Sequence, residues 1–156
     1  MKIRIAVLLG MGAGLLLAAD PAGFVLWRAS DLKALDHKLA AKMDPKTTSA
    51  GEPLAKFSNH SFTLARRSAS GEAEIHENQT DIFVIEAGEA SLIVGGEVVS
   101  PRTTATGEVR GASIQGGSEK KLGAGDIVHI PAKIPHQLLI APGKEFTYFV
   151  VKVDTP

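Results

Sequence analysis

The sequence predicts an all-β sandwich or barrel preceded by one short amphipathic helix, and three observations carry that expectation. Short runs of β type, at 62–67, 72–76, 82–85, 91–94, 127–130, 137–140 and 146–153, are separated by Gly, Pro and Asp. No helical pattern of useful length interrupts them, which excludes an alternating βαβ arrangement. The chain has 156 residues, 44% of them hydrophobic and 22% charged, which suits one globular domain and is short for two.

The first nineteen residues contain Lys2 and Arg4, no acid, and an almost unbroken apolar run from Ile5 to Ala19. A positive start, an apolar stretch and small residues at Ala18 and Ala19 predict an export signal over 1–19 and a periplasmic or secreted mature protein. The rival reading is a retained anchor, because residues 23–27 extend the apolar stretch toward the ~20 residues a bilayer needs. Asp20 and Pro21 argue against it, placing a charge and a helix breaker inside the span. Cleavage would remove two bases from a chain with 17 basic and 17 acidic residues, leaving the mature form mildly acidic.

Residues 20–57 read as a helix and an extended arm. Leu32, Leu35, Leu39 and Met43 fall on one side of a 3.6-residue repeat, with Ser30 as N-cap, Asp31 at the positive end of the dipole and Pro45 as the stop. The leucine stripe predicts packing on the following domain, with His37 in solvent. Turn residues over 44–57 give the arm, and the barrel domain is expected over 58–156. Within it, 100–121 is rich in Gly, Ser and Thr and reads as a long loop or irregular hairpin, a candidate lid.

Charge and residue inventory exclude several functions. A formal net charge of zero offers no basic field for nucleic acid. Without cysteine there is no disulfide, thiolate site or thiol nucleophile, so any metal must be held by nitrogen and oxygen. Phosphate loops, serine-hydrolase elbows and dinucleotide fingerprints are missing.

The candidate chemistry lies over 74–88 and 125–136. Side chains alternate along a strand, so Glu74 and His76 share a face. A turn at 78–80 with an antiparallel return brings Asp81 near them, and His136, following Pro131 and Pro135, can complete two imidazoles and two carboxylates. The alternation leaves two registers open: Glu74 and His76 inward, or Ala73 and Ile75 inward with the polar side in water. His129 reads as a mid-strand structural or pocket histidine and His60 as a turn residue. Arg66 and Arg67 lie on opposite faces of one strand, so one of them can reach an anionic substrate.

These stretches resemble the paired motifs of the cupin superfamily, small jelly-roll β-barrels that hold a metal. In the first motif, Glu74 stands at the first histidine position, His76 matches the second, Asp81 takes the glutamate's place and Gly88 matches the closing glycine. The second is matched by Gly125, Asp126, Ile130, Pro131, Ala132, Pro135 and His136, with Lys133 at a usual glycine. The glycine that precedes the first motif is displaced, with Ser68 at its place and Gly71 nearby. The resemblance covers about 58–153. It implies a divalent transition metal (Fe, Mn or Zn) held by Glu74, His76, Asp81 and His136. It further implies a small oxygen-rich ligand or substrate, with oxygenase, isomerase or lyase chemistry or non-catalytic binding, and a homodimer for which the Ala73/Ile75 face offers a surface.

Overall fold

The structure, a computed structural model, describes residues 19–43, 46 and 48–156. The expected export segment lies outside them but for Ala19, as does the expected helix stop at Pro45. Among the described residues no helix is long and apolar enough to cross a membrane.

Helix α1 (Ala29–Ala41) starts two positions earlier than the sequence suggests. Arg28 is its N-cap, and Asp31 closes the first turn by accepting the Arg28 N–H at 3.3 Å, so Ser30 lies inside the helix. At the other end the Lys42 N–H donates to the Leu39 carbonyl. The leucine stripe docks on the sheet as expected, with Leu39 1% exposed. His37 remains in solvent.

Twelve strands follow: β1 (Ser49–Lys56), β2 (His60–Arg67), β3 (Ala73–His76), β4 (Gln79–Val94), β5 (Glu97–Val99), β6 (Arg102–Ala105), β7 (Glu108–Gly111), β8 (Ser113–Gln115), β9 (Ser118–Gly123), β10 (Ile127–Ile130), β11 (His136–Leu139) and β12 (Phe146–Asp154). Ten form one antiparallel sheet in the order β1-β2-β12-β4-β11-β3-β7-β6, with β10 and β9 also paired to β4. The arm expected over 44–57 is therefore largely the edge strand β1 of the sheet itself, with Ser49 opposite Arg67 and Lys56 opposite Ser61.

Strand β4 makes the sheet a barrel. Its first half pairs with β12 and β10, its second with β11 and β9, so one strand serves both walls. The bend falls at Gly88, where φ is +82 and a Cβ would run into the Glu145 carbonyl, and the pairing with β12 shifts register beside it. Inward residues are Asp81, Phe83 and Ile85 before the bend and Ala90 and Leu92 after it, a change of parity that the bend absorbs. Phe83, Leu92, Ile130, Leu138, Phe146 and Tyr148 belong to the core between the walls.

The segment expected as a loop over 100–121 is instead regular. β6 and β7 form a hairpin, and β5 and β8 form a small second sheet. That sheet overlies the outer face of β3 and β7: Ala73 pairs with Gly111, and a Cβ on Gly111 would collide with Val98. Ala73 is 0% exposed beneath that sheet, whereas Ile75, the other residue of the face expected to serve a homodimer, is half-buried.

On the outer face of the other wall, Arg66 binds Asp36 of α1 and Glu145, and Thr147 donates to Asp36 at 2.7 Å. Trp27 rests on Phe62 and Phe149, with ring centroids 5.1 and 5.7 Å away. His60 closes the turn after β1, its carbonyl accepting from the Phe57 N–H at 2.8 Å, and opens β2 with its ring stacked on Phe57. His129 is exposed on β10.

Candidate metal centre

Pairing decides which of the two open registers holds. Glu74 lies directly opposite His136 on β11 and Arg110 on β7, and His76 lies opposite Glu108. Residues opposite one another in an antiparallel pair project to the same face. Glu74, His76 and His136 thus share the inner face of one wall. Asp81 projects from the other wall, because β3 and β4 do not form the hairpin that the turn suggested. The two strands face each other across the barrel, and Asp81 Oδ2 comes to 3.4 Å from His76 Nε2 and 3.7 Å from His136 Nε2. His76, Asp81 and His136 are only 3%, 3% and 4% exposed.

One ligand atom each from Glu74, His76 and His136 lies within 4.8 Å of the others, the compact group able to hold an ion. Glu74 Oε2 is 3.4 Å from His76 Nε2 and 3.9 Å from His136 Nε2. Asp81 touches both imidazoles from the far side and is also bound by Lys152, whose Nζ is 2.8 and 3.1 Å from its two oxygens. Lys152 Nζ is 2.9 Å from His76 Nε2 as well.

The hydrogen bonds behind the imidazoles fix their lone pairs. His136 Nδ1 is 3.0 Å from the Ile134 carbonyl, which can only accept, so Nδ1 carries the hydrogen and the Nε2 lone pair faces the site. That Nε2 is buried and has no hydrogen-bond partner. The polar atoms before it, Glu74 Oε2 and Asp81 Oδ2, are also acceptors. A buried lone pair that faces two carboxylate acceptors and is reached by no donor suits a cation, and these residues fit a divalent metal. His76 Nδ1 lies 2.8 and 2.9 Å from the oxygens of Glu108, the carboxylate–imidazole arrangement that orients a ligating histidine. Arg110 Nη1 in turn holds Glu108 at 3.0 Å.

Proton affinities follow from the same contacts. Burial would raise the Glu74 carboxyl, but the hydrogen bond with His76 and the charges of Arg110 and Arg67 hold it down at about 2. Burial would lower His76, but hydrogen bonds with Asp81 and Glu74 outweigh it and push the imidazole up to about 9. Asp81 is likewise held below the usual carboxylate range, burial being outweighed by His76 and Lys152. For His136 burial wins, keeping the ring neutral with its lone pair available.

Beside the donors is a cavity of about 20 Å³, lined by Arg67, Glu74, Phe83, His136 and Tyr148 among others. Arg67 Nε donates to the Tyr148 hydroxyl at 3.3 Å, and Nη2 lies 3.8 Å from Glu74. Of the arginine pair, Arg67 is the one that points inward. A larger concavity, about 520 Å³, is lined by Glu89, Lys121, Asp126 and Lys144 and by none of the donor residues.

Lys133, at the usual glycine position of the second motif, has φ +68, and its N–H donates to the His76 carbonyl at 2.7 Å. Its role here is in the backbone. Sequence reasoning missed Lys152, Glu108 and Arg110. Lys152 had a signal, since it shares inward parity with Phe146, Tyr148 and Val150. Glu108 and Arg110 are hidden in the segment that reads as a loop.

No family model matches the sequence, and no curated protein matches it. Among solved structures the chain is similar to TT1209 from Thermus thermophilus, at 18% identity and TM-score 0.53 over 73% of this chain and 90% of that one. It is similar also to KdgF from Halomonas sp., at 14% identity and TM-score 0.52 over 72% and 86%. A recombinant oxalate oxidase in complex with glycolate aligns at 16% identity and TM-score 0.51, over 71% of this chain and 53% of that one. These neighbours are cupin-type proteins, and the fold of this chain is the cupin jelly-roll barrel with one short helix. At such identities the likeness carries the fold alone.

Proposed function

We infer that this protein is an exported, single-domain metal-binding cupin whose barrel holds one divalent transition metal, Fe, Mn or Zn, on Glu74, His76 and His136, with Asp81 within reach. The unpartnered, buried Nε2 of His136 carries the reading: its lone pair converges with His76 Nε2 and Glu74 Oε2 on one point. Nitrogen and oxygen donors of this kind suit iron, manganese and zinc. A bound metal of this class supplies Lewis-acid polarisation of an oxygen ligand. The chain's own residues do the rest. Glu108 holds the His76 tautomer, Ile134 holds that of His136, and the apolar ring of Phe83 keeps bulk water from the donors.

The cavity of about 20 Å³ beside the donors limits what can share the site. It has room for one water-sized group. A substrate of the proposed small, oxygen-rich class would present a single donor atom there, its remainder entering past Arg67 and Tyr148. The cavity's size favours a second reading, a barrel that binds metal without turning a substrate over.

Elemental analysis of the mature protein, purified without a histidine tag, tests the metal. About one metal per chain, lost in His76→Ala and His136→Ala, is expected. Folded, metal-free wild type indistinguishable from both variants sinks the proposal. With metal present, oxygen consumption and product analysis against small carbonyl and phenolic compounds separate an enzyme from a binding module.

A further inference from the structure

Among the described residues, Lys152 is the one cation within hydrogen-bond distance of His76 or Asp81, and it arrives from the wall opposite His76. Its ammonium bridges Asp81, at 2.8 and 3.1 Å, and His76 Nε2, at 2.9 Å. Lys152 lies on β12 opposite Asp81 on β4, so the pairing of these strands fixes both side chains on the same inner face. Its side chain is 30% exposed, leaving it a path toward solvent that the 3%-exposed Asp81 lacks.

An imidazole nitrogen has a single lone pair in the ring plane. His76 Nδ1 is engaged by Glu108, so Nε2 alone faces the site. Two nitrogens 2.9 Å apart share one hydrogen, and whichever holds it, the lone pair of Nε2 is committed to that bond. Coordination of a metal at Nε2 and the bond to Lys152 therefore exclude each other. Removing Lys152 would also leave Asp81 without its cation, 3.4 Å from one imidazole and 3.7 Å from the other, where a metal would take over the charge.

We propose that Lys152 is a tethered cation that occupies the metal-free site and exchanges with the metal: binding expels the ammonium toward solvent, and the exchange sets the affinity. This rests on the metal reading above and adds a competitor built into the chain. In the closed state Lys152 satisfies Asp81 and His76, so the barrel tolerates an empty site without leaving those two groups unpaired.

The test uses the full mature protein and Zn²⁺ alone. In a chelator competition titration, Lys152→Met is expected to bind Zn²⁺ about tenfold or more tighter than wild type, the worth of a hydrogen bond to a charged group. Arg67→Met is the control for a general field effect, since it removes an equal charge 3.8 Å from Glu74. It is expected to change affinity by less than about threefold, as for a charge pair without close contact. A second readout needs no variant: limited acetylation followed by peptide mass spectrometry should show Lys152 labelled faster when Zn²⁺ is bound, and His136→Ala should abolish that increase. Equal tightening in both variants, no tightening in Lys152→Met, or unchanged labelling of Lys152 in Zn²⁺-loaded wild type overturns the exchange while leaving the metal site standing. Failure of wild type and Lys152→Met alike to take up Zn²⁺ removes the metal reading and the exchange together.

Discussion

Replacing Glu108 by glutamine isolates what holds His76 in place. Glu108 contacts His76 Nδ1 through both oxygens, at 2.8 and 2.9 Å, with its side chain 25% exposed. Glutamine keeps the length and one acceptor oxygen but loses the charge. A hydrogen bond to a charged group is worth about 1.5–3 kcal/mol and a neutral one about 0.5–1.5, so the change should cost about 1–1.5 kcal/mol of ligand orientation. That is about tenfold in affinity, the lower end of the 10–100-fold range for partners standing behind a ligating histidine. Competition titration with a chromophoric chelator and Zn²⁺ reads the loss, and thermal unfolding of the metal-free variant checks that the fold is intact. Arg110, which would otherwise answer the glutamate, keeps its 3.8 Å approach to Glu74. Zn²⁺ affinity within about twofold of wild type, in a variant that melts normally, would refute the claim that Glu108 orients His76, because an orienting bond of this class cannot be weakened for less.

Two further outcomes follow from the same geometry. Lys133→Gly should stabilise the protein by about 0.5–1 kcal/mol, because a lysine at φ +68 carries a left-handed penalty that glycine avoids, and a shift of the urea midpoint reads it. The metal-free protein should also show a stability maximum in pH. Glu74, lowered from 4.5 to about 2, contributes stability that is present above 4.5 and lost as pH falls through 2. His76, raised from 6.5 to about 9, contributes stability that is complete below 6.5 and lost as pH rises through 9. Urea midpoints in the presence of chelator should peak between pH 4.5 and 6.5, each limb worth on the order of 2 kcal/mol; a flat profile across both limbs contradicts it.

The sequence made much of this site legible through parity and spacing. Glu74 and His76 share a face because they are two apart in a strand, and His136 and Gly88 stand where the cupin motifs put them. Alternation alone could not decide which face looks inward; that is settled by which strands pair, a non-local property. The same limitation explains the false hairpin at 78–80. Nearness in sequence suggested pairing of β3 with β4, whereas the closing of the barrel sets them on opposite walls. Glu108 and Arg110 were lost because β7 is only four residues long, with Val109 its one large apolar residue, and too short to show an apolar alternation. Lys152 was overlooked for the opposite reason: in a run as apolar as 146–153 the one charge looks like an outward residue, and only counting in twos from Phe146 shows otherwise.

Strand β4 has a consequence for how the chain reaches its folded state. All four of its partners, β9 to β12, lie downstream, over 118–154. The strand common to both walls therefore has no partner before β9 is synthesised, and neither its own pairing nor that of β2, which has only β1 upstream, is complete until β12 follows. Such long-range closure delays folding to the end of translation. A polypeptide that cannot complete its barrel early remains threadable while it is being made, which is the condition that the export proposed above would require.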